Sequence, residues 1–234
     1  SDGRVLHAWN VWFTPVEKTK SRFVAFSLST DDGLTWSAPR QLAKNPDPKV
    51  HSVIRHPVVE LSARQWLFAL ADRTVVYDPE TGMETLLGDP GDHGLVPVVR
   101  TPGGTLVSGR GKRSSDGGKT WELLPGFPDV STQGWRHQLV ALRNGWLVAS
   151  AIPGPGFGGE KIQFLLSVDE GRSWQMEKPA DFYNPGRPIG GRACPRTVEL
   201  DEHTLGTVFY DTDAQQPGGS GVFFRALPTA RLKP

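Results

Sequence analysis

An all-β fold built from a repeated multi-stranded unit, a β-propeller, is what this sequence predicts. Three observations predict it. One octet recurs three times, the recurrences are spaced as one and two lengths of a common repeat, and short strand-like runs alternate with turn residues throughout.

The octet reads Ser29-Thr30-Asp31-Asp32-Gly33-Leu34-Thr35-Trp36, then Ser114-Ser115-Asp116-Gly117-Gly118-Lys119-Thr120-Trp121, then Ser167-Val168-Asp169-Glu170-Gly171-Arg172-Ser173-Trp174. Its pattern, Ser-x-Asp-x-Gly-x-Thr/Ser-Trp, has a mechanical meaning. Asp and Ser side chains bond backbone groups in a tight turn, Gly accepts positive φ, and Trp closes one side. From Asp31 to Asp116 is 85 residues and from Asp116 to Asp169 is 53. These intervals fit two blades and one, since four short strands with their turns need about 45 residues.

Between the octets the elements follow in order. HPVVEL (56–61), VPVVRT (96–101), HQLVAL (137–142) and CPRTVEL (194–200) read as four equivalent innermost strands. Each leads through a turn to a second strand: WLFALA, TLVSGR, WLVASA and TLGTVFY. Pro102-Gly103-Gly104, Arg143-Asn144-Gly145 and Asp201-Glu202-His203 stand where the hairpins need them. Third strands then run into the octets, or into Tyr77-Asp78-Pro79-Glu80-Thr81-Gly82 in the blade without one. At the start, Ser1-Asp2-Gly3 reads as a turn and VLHAWNVWF as a second strand, so the first blade lacks its innermost strand. The expectation is a single domain over 1–234 with about five visible blades, the first incomplete. Closure by the segment around Thr229–Leu232 and a longer six-bladed parent both fit.

Bulk composition agrees. Gly (27) and Pro (20) make up a fifth of the 234 residues and are spread along the chain, which means many turns. Eight Trp speak against disorder. A net charge of +1 without a long basic run excludes nucleic acid as the expected partner. No run approaches the roughly 18 apolar residues of a membrane helix. Cys194 is the one cysteine, so no internal disulfide forms. The expected location is secreted or periplasmic, and no cofactor is expected.

In propellers, residues at the starts of the innermost strands surround the mouth of the central channel. Aligning those strands brings Arg55-His56, Leu95-Val96, Arg136-His137 and Arg192 to comparable positions. Arginines around a concave mouth suit an anionic ligand, because guanidinium meets carboxylate in a bidentate fork. His56 and His137 beside them could supply acid–base chemistry near neutral pH. Against this, each Arg could cap its own turn and each His bond a nearby carbonyl. No His/Cys/Asp cluster at metal-ligand spacing is visible.

The octet resembles the Asp-box of the sialidase superfamily, where it forms a hairpin between a blade's third and fourth strands, away from the catalytic mouth. The resemblance implies a propeller, a structural role for the three octets, and an acidic glycan as ligand. In that family three arginines hold the substrate carboxylate, a Tyr activated by Glu is the nucleophile, and an Asp is the acid/base. Arg110, in GTLVSGRGKRSSDGGKTW, fits the second arginine. Lys161 is the cation nearest the position of the third. The Tyr position, opening the last inner strand, holds Cys194-Pro195-Arg196, and Tyr210 in the neighbouring strand is the substitute candidate. The Glu position near Val96 holds no acid, and the first Arg and the Asp have no counterpart.

The expected function is therefore a glycoside hydrolase-like propeller acting on an acidic sugar. His56, His137 and Tyr210 are its catalytic candidates, and Arg55, Arg110, Arg136, Arg192 and Lys161 its substrate-binding ones. The alternative is a propeller that binds carbohydrate or protein without catalysis. The loop Pro153–Gly159 suits a lid. Trp9, Trp12, Phe13 and Trp135 offer sugar-stacking surfaces, although Trp9 and Trp12 are expected to pack between blades.

Overall fold

Alternation of apolar and polar residues between tight turns yields five antiparallel sheets, each a meander of neighbours in sequence. The computed structural model describes residues 4–12, 22–42, 54, 56–70, 73–87, 97–125, 127, 138–151, 161–176, 182–187, 189, 194–212 and 221–232. The first sheet is β1 (Val5–Trp12), β2 (Arg22–Ser29) and β3 (Arg40–Leu42). The second is β4 (Val59–Ser62), β5 (Gln65–Ala69), β6 (Thr74–Tyr77) and β7 (Glu84–Leu87). The third is β8 (Val98–Arg100), β9 (Leu106–Ser108), β10 (Lys112–Ser114) and β11 (Glu122–Leu123). The fourth is β12 (Gln138–Ala141), β13 (Leu147–Ala151), β14 (Gln163–Ser167) and β15 (Gln175–Met176). The fifth is β16 (Arg196–Asp201), β17 (Thr204–Asp211) and β18 (Gly221–Pro228), followed by a 3-10 turn at Thr229–Arg231. Contacts divide the chain into two compact units, residues 1–96 and 97–234.

Within each unit, apolar side chains fill the space between consecutive sheets. In the first, Phe26 and Leu42 meet Phe68, Val75 and Tyr77, with the Phe26 and Tyr77 rings edge to face at 4.8 Å. In the second unit the fourth sheet is buried on both faces. Successive residues of a strand point to opposite sides, so Leu147, Ala149 and Leu165 join Val107 and Leu124 of the third sheet. Val148, Phe164 and Leu166 instead join Leu205 and Phe209 of the fifth. Each fully buried Val, Leu or Phe among them contributes about 1.5–3 kcal/mol. The inner strand β12 lies beside β8 and beside β16, and the Thr197 N–H donates to Gln138 Oε1, setting the starts of β12 and β16 side by side.

All three octets fold identically. The serine hydroxyl donates to the aspartate (2.7, 2.7 and 2.8 Å) and accepts the glycine N–H (2.8 Å in each). The other aspartate oxygen accepts the Thr or Ser hydroxyl at 2.6–2.7 Å. The indole N–H donates to the glycine carbonyl at 2.9–3.1 Å. Two consecutive residues take positive φ: Asp32-Gly33, Gly117-Gly118 and Glu170-Gly171. The sequence reading assigned positive φ only to the second of each pair. Where the octet is replaced, Asp78 does a similar job, accepting the N–H groups of Glu80 and Thr81 at 2.8 and 3.2 Å.

The octets also join sheets. Glu170 accepts the hydroxyls of Thr101 and Thr105, each at 3.2 Å, from the β8–β9 turn. At the corresponding turn of the fourth sheet, the Arg143 N–H donates to Glu199 of β16 at 3.1 Å.

Candidate functional site

A meander gives each sheet two ends with different contents. β10 and β14 finish in their octets, at the end where the inner strands β8 and β12 finish. At the opposite end, where inner strands begin, lies every sequence-predicted site residue among the described ones: His56, Arg110, Lys161 and Tyr210. Arg55, His137, Arg136 and Arg192, like Trp12's side chain, Phe13, Trp135 and the Pro153–Gly159 loop, lie outside the described residues.

In the first unit, His56 precedes β4, is buried at 5% exposure, and forms part of the wall of a groove of about 620 Å³. The groove runs between β1 and β4, with Asn10, Ile54 and His56 towards one end and Arg4, Glu60 and Trp66 towards the other. Asn10 clamps the backbone of Ile54 with its side-chain amide, donating to the Ile54 carbonyl at 2.8 Å and accepting its N–H at 2.7 Å. The Arg4 guanidinium lies 5.8 Å from the Trp66 ring centre and donates to the Ala63 carbonyl. Trp9 lines the groove half-buried, its ring 5.1 Å from that of His7.

In the second unit, Arg110 occupies the turn between β9 and β10. That turn is tied to the start of β8 by the Gly109 N–H, which donates to Pro97 O at 2.8 Å. The Arg110 N–H donates to Ser108 Oγ at 3.1 Å. Its side chain is half-buried, and Nε is enclosed with no hydrogen-bond partner among the described residues. Lys161, also half-buried, precedes Ile162, whose N–H donates to the Tyr183 carbonyl at 2.9 Å. Tyr210, near the end of β17, sets its hydroxyl 3.9 Å from Cys194 Sγ. Cys194 is half-buried and holds φ at 36°, a left-handed backbone that cysteine rarely takes.

Beside this pair is a cluster that sequence reasoning missed. The Asp211 side chain is fully buried and receives Arg187 through both terminal nitrogens, at 3.3 and 2.9 Å. The Tyr183 hydroxyl donates to the same carboxylate at 2.7 Å. Burial first, then the bond to Asp211, pushes the Tyr183 hydroxyl above its ordinary pKa. These contacts tie segment 182–187 to the fifth sheet. Arg225 strengthens the anchor, donating to the Phe182 carbonyl and covering the Tyr183 ring at 5.8 Å. No sequence signal marked the trio, because Asp211 ends an ordinary strand and its partners come from a loop over twenty residues earlier.

Comparison with known proteins gives the fold a relative. No protein-family model matches the chain, and no curated protein matches its sequence. Among solved structures, the chain is similar to a protein of unknown function from Dyadobacter fermentans, at 17% identity and TM-score 0.63 over 97% of this chain and 73% of that one. It is similar to Trypanosoma rangeli sialidase at 12% identity and TM-score 0.59, covering 97% of this chain and 46% of that one. It is also similar to the intramolecular trans-sialidase of Ruminococcus gnavus at 16% identity and TM-score 0.59, covering 91% and 52%. The chain thus spans about half the length of these sialidases. Likeness at such identities shows the fold, and the fold of this all-β chain is sialidase-like.

Proposed function

We propose that this protein is a β-propeller of the Asp-box kind that acts on an acidic sugar, in the manner of a glycoside hydrolase. The observation that carries the reading is Arg110. Its enclosed Nε has no partner among the described residues, which costs about 1–3 kcal/mol unless something accepts its hydrogen bond, and a ligand carboxylate is the natural acceptor. In the second unit Arg110, Arg136, Arg192 and Lys161 hold the carboxylate, with His137 and Tyr210 as the groups that move protons. In the first unit His56 stands at the same end of its own sheet, and Arg55 is its candidate partner. One of the sialidases of similar fold is known in complex with sialic acid, which supports an acidic monosaccharide as the ligand class.

The second reading, a propeller that binds without catalysis, is favoured by the Asp211 trio. The Tyr183–Asp211 pair is locked by Arg187, and the position expected for the family's Glu, at Leu95-Val96, holds no acid. Turnover assays with sialosides and uronate-terminated oligosaccharides, run beside an Arg136→Ala/Arg192→Ala double variant, separate the two. Hydrolysis lost in the variant supports the enzyme. Saturable binding with no turnover supports the binding module. Indifference to every acidic glycan overturns the proposal.

A further inference from the structure

Arg110 stands between two glycines, Gly109 and Gly111. Glycine takes positive and negative φ about equally, so nothing in this stretch of chain fixes the direction of the arginine. Its neighbours do. The Gly109 N–H donates to Pro97 O at 2.8 Å, and the Gly111 N–H closes the turn on Ser108 O at 3.0 Å. The Leu124 N–H, just beyond β11, donates to Gly111 O at 2.7 Å. The Arg110 N–H itself is taken by Ser108 Oγ.

Phe127 completes the frame. Gly111 is buried at φ 67°, and a Cβ there would lie 2.6 Å from Phe127 Cβ, 2.9 Å from its Cγ and 3.3 Å from its Cδ1. The Phe127 side chain thus fills the side of Gly111 on which any other residue would carry its own. This contact is held from behind. The Phe127 N–H donates to Leu124 O at 3.0 Å, and Trp174 meets the Phe127 ring edge to face at 5.1 Å. Trp174 closes the octet of the fourth sheet, its indole N–H bound to Gly171 O. An octet of one sheet therefore braces a turn of the sheet before it.

We propose that Phe127 is a positioning residue for Arg110: it holds Gly111 in its left-handed backbone and so sets where the guanidinium points. The inference rests on the reading of Arg110 as a ligand-binding residue. Arg110 is half-buried, and its enclosed Nε has no partner among the described residues. With no bond holding that nitrogen, the direction of the side chain depends on the turn that carries it. A side chain held in place before the ligand arrives loses less freedom on binding, and the difference appears as affinity.

The first arm of the test needs no ligand. The whole protein is treated with phenylglyoxal, and modification of each arginine is followed by mass spectrometry, with the exposed Arg64 and Arg143 as internal references. Phe127, half-buried at the margin of its core, is replaced in two ways. Phe127→Ala removes Cγ, Cδ1 and the ring that meets Trp174, whereas Phe127→Leu keeps every atom position nearest Gly111. Leu165→Ala loosens the same core at a residue absent from the Gly111 contacts. The expected result is modification of Arg110 about tenfold faster in Phe127→Ala than in the parent, with parent-like rates in Phe127→Leu and Leu165→Ala. In the second arm, affinity for sialyllactose falls about tenfold in Phe127→Ala and holds in the other two. A parent-like Arg110 rate in Phe127→Ala, or equal acceleration in Leu165→Ala, overturns the proposal. A parent that binds no acidic glycan sinks the glycan reading instead, and the Arg110 rates still decide whether Phe127 positions the side chain.

Discussion

Gly171 and Gly117 occupy neighbouring places in two octets, and both hold left-handed backbone, at φ 86° and 75°. Their surroundings differ. A Cβ on Gly117 meets nothing within 4 Å, whereas one on Gly171 meets Val107 at 3.2 Å and Leu124 at 3.3 Å. Gly117→Ala is expected to cost about 1–2 kcal/mol, the left-handed penalty alone. Gly171→Ala adds overpacking and is expected to cost about 2–4 kcal/mol; urea midpoints of the two variants check the order. The octet aspartates predict an acid response. Hydrogen bonds from the Thr35 hydroxyl and N–H, then from Ser29, hold Asp31 at about 2, below its ordinary 3.8. Bonds from Thr120 and Ser114 lower Asp116 further. Burial raises Asp169, but bonds from Ser173 and Ser167 outweigh it and the net direction is down. A folded pKa below the unfolded one gives stability that is complete above about pH 4 and fades as pH falls toward 2. Melting temperature measured from pH 6 to pH 2 should drop in that window, and Asp116→Asn should flatten the drop. Most of this was legible in the sequence, because the octet's hydrogen bonds are local and its residue types dictate them. The positive φ of Asp32 and Glu170 was not legible, since neither residue type asks for it.

Elements were legible to a lesser extent. Each proposed inner and second strand forms, but β8 is only Val98–Arg100 and β16 begins at Arg196, because turns and side-chain bonds claim the flanking residues. The burial of both faces of β13 and β14 could not be read from period-two alternation, as a doubly buried strand has none. Long-range anchors were invisible for a different reason: they depend on which loop lands on which sheet. Arg187 and Asp211 are the clearest case. Removing the guanidinium leaves a fully buried carboxylate uncompensated, and Arg187→Ala is expected to destabilise by about 3 kcal/mol. Adding Asp211→Asn should recover part of that loss. A double-mutant cycle by chemical denaturation checks both, and additivity of the two single costs would show that the pair does not act as a unit.

At the scale of the molecule, the sheets separate two kinds of residue along their length. Octets and their hydrogen bonds take the end where inner strands finish; His56, Arg110, Lys161 and Tyr210 take the end where inner strands begin. Hairpin order alone determines which end of a sheet each of these residues takes, and that order was legible in the sequence. Which side chains meet at that end of a sheet is set by packing, as with Tyr183, Arg187 and Asp211, and no local pattern encodes it. A matched pair of variants tests the division most directly: Arg110→Ala at one end of the third sheet and Asp116→Asn at the other, each compared with the parent protein for affinity toward an acidic glycan and for melting temperature. Arg110→Ala should lose at least tenfold in affinity with its melting temperature nearly unchanged, and Asp116→Asn should melt several degrees lower while binding as the parent does. Unchanged binding in Arg110→Ala, or lost binding in a fully folded Asp116→Asn, would contradict the account.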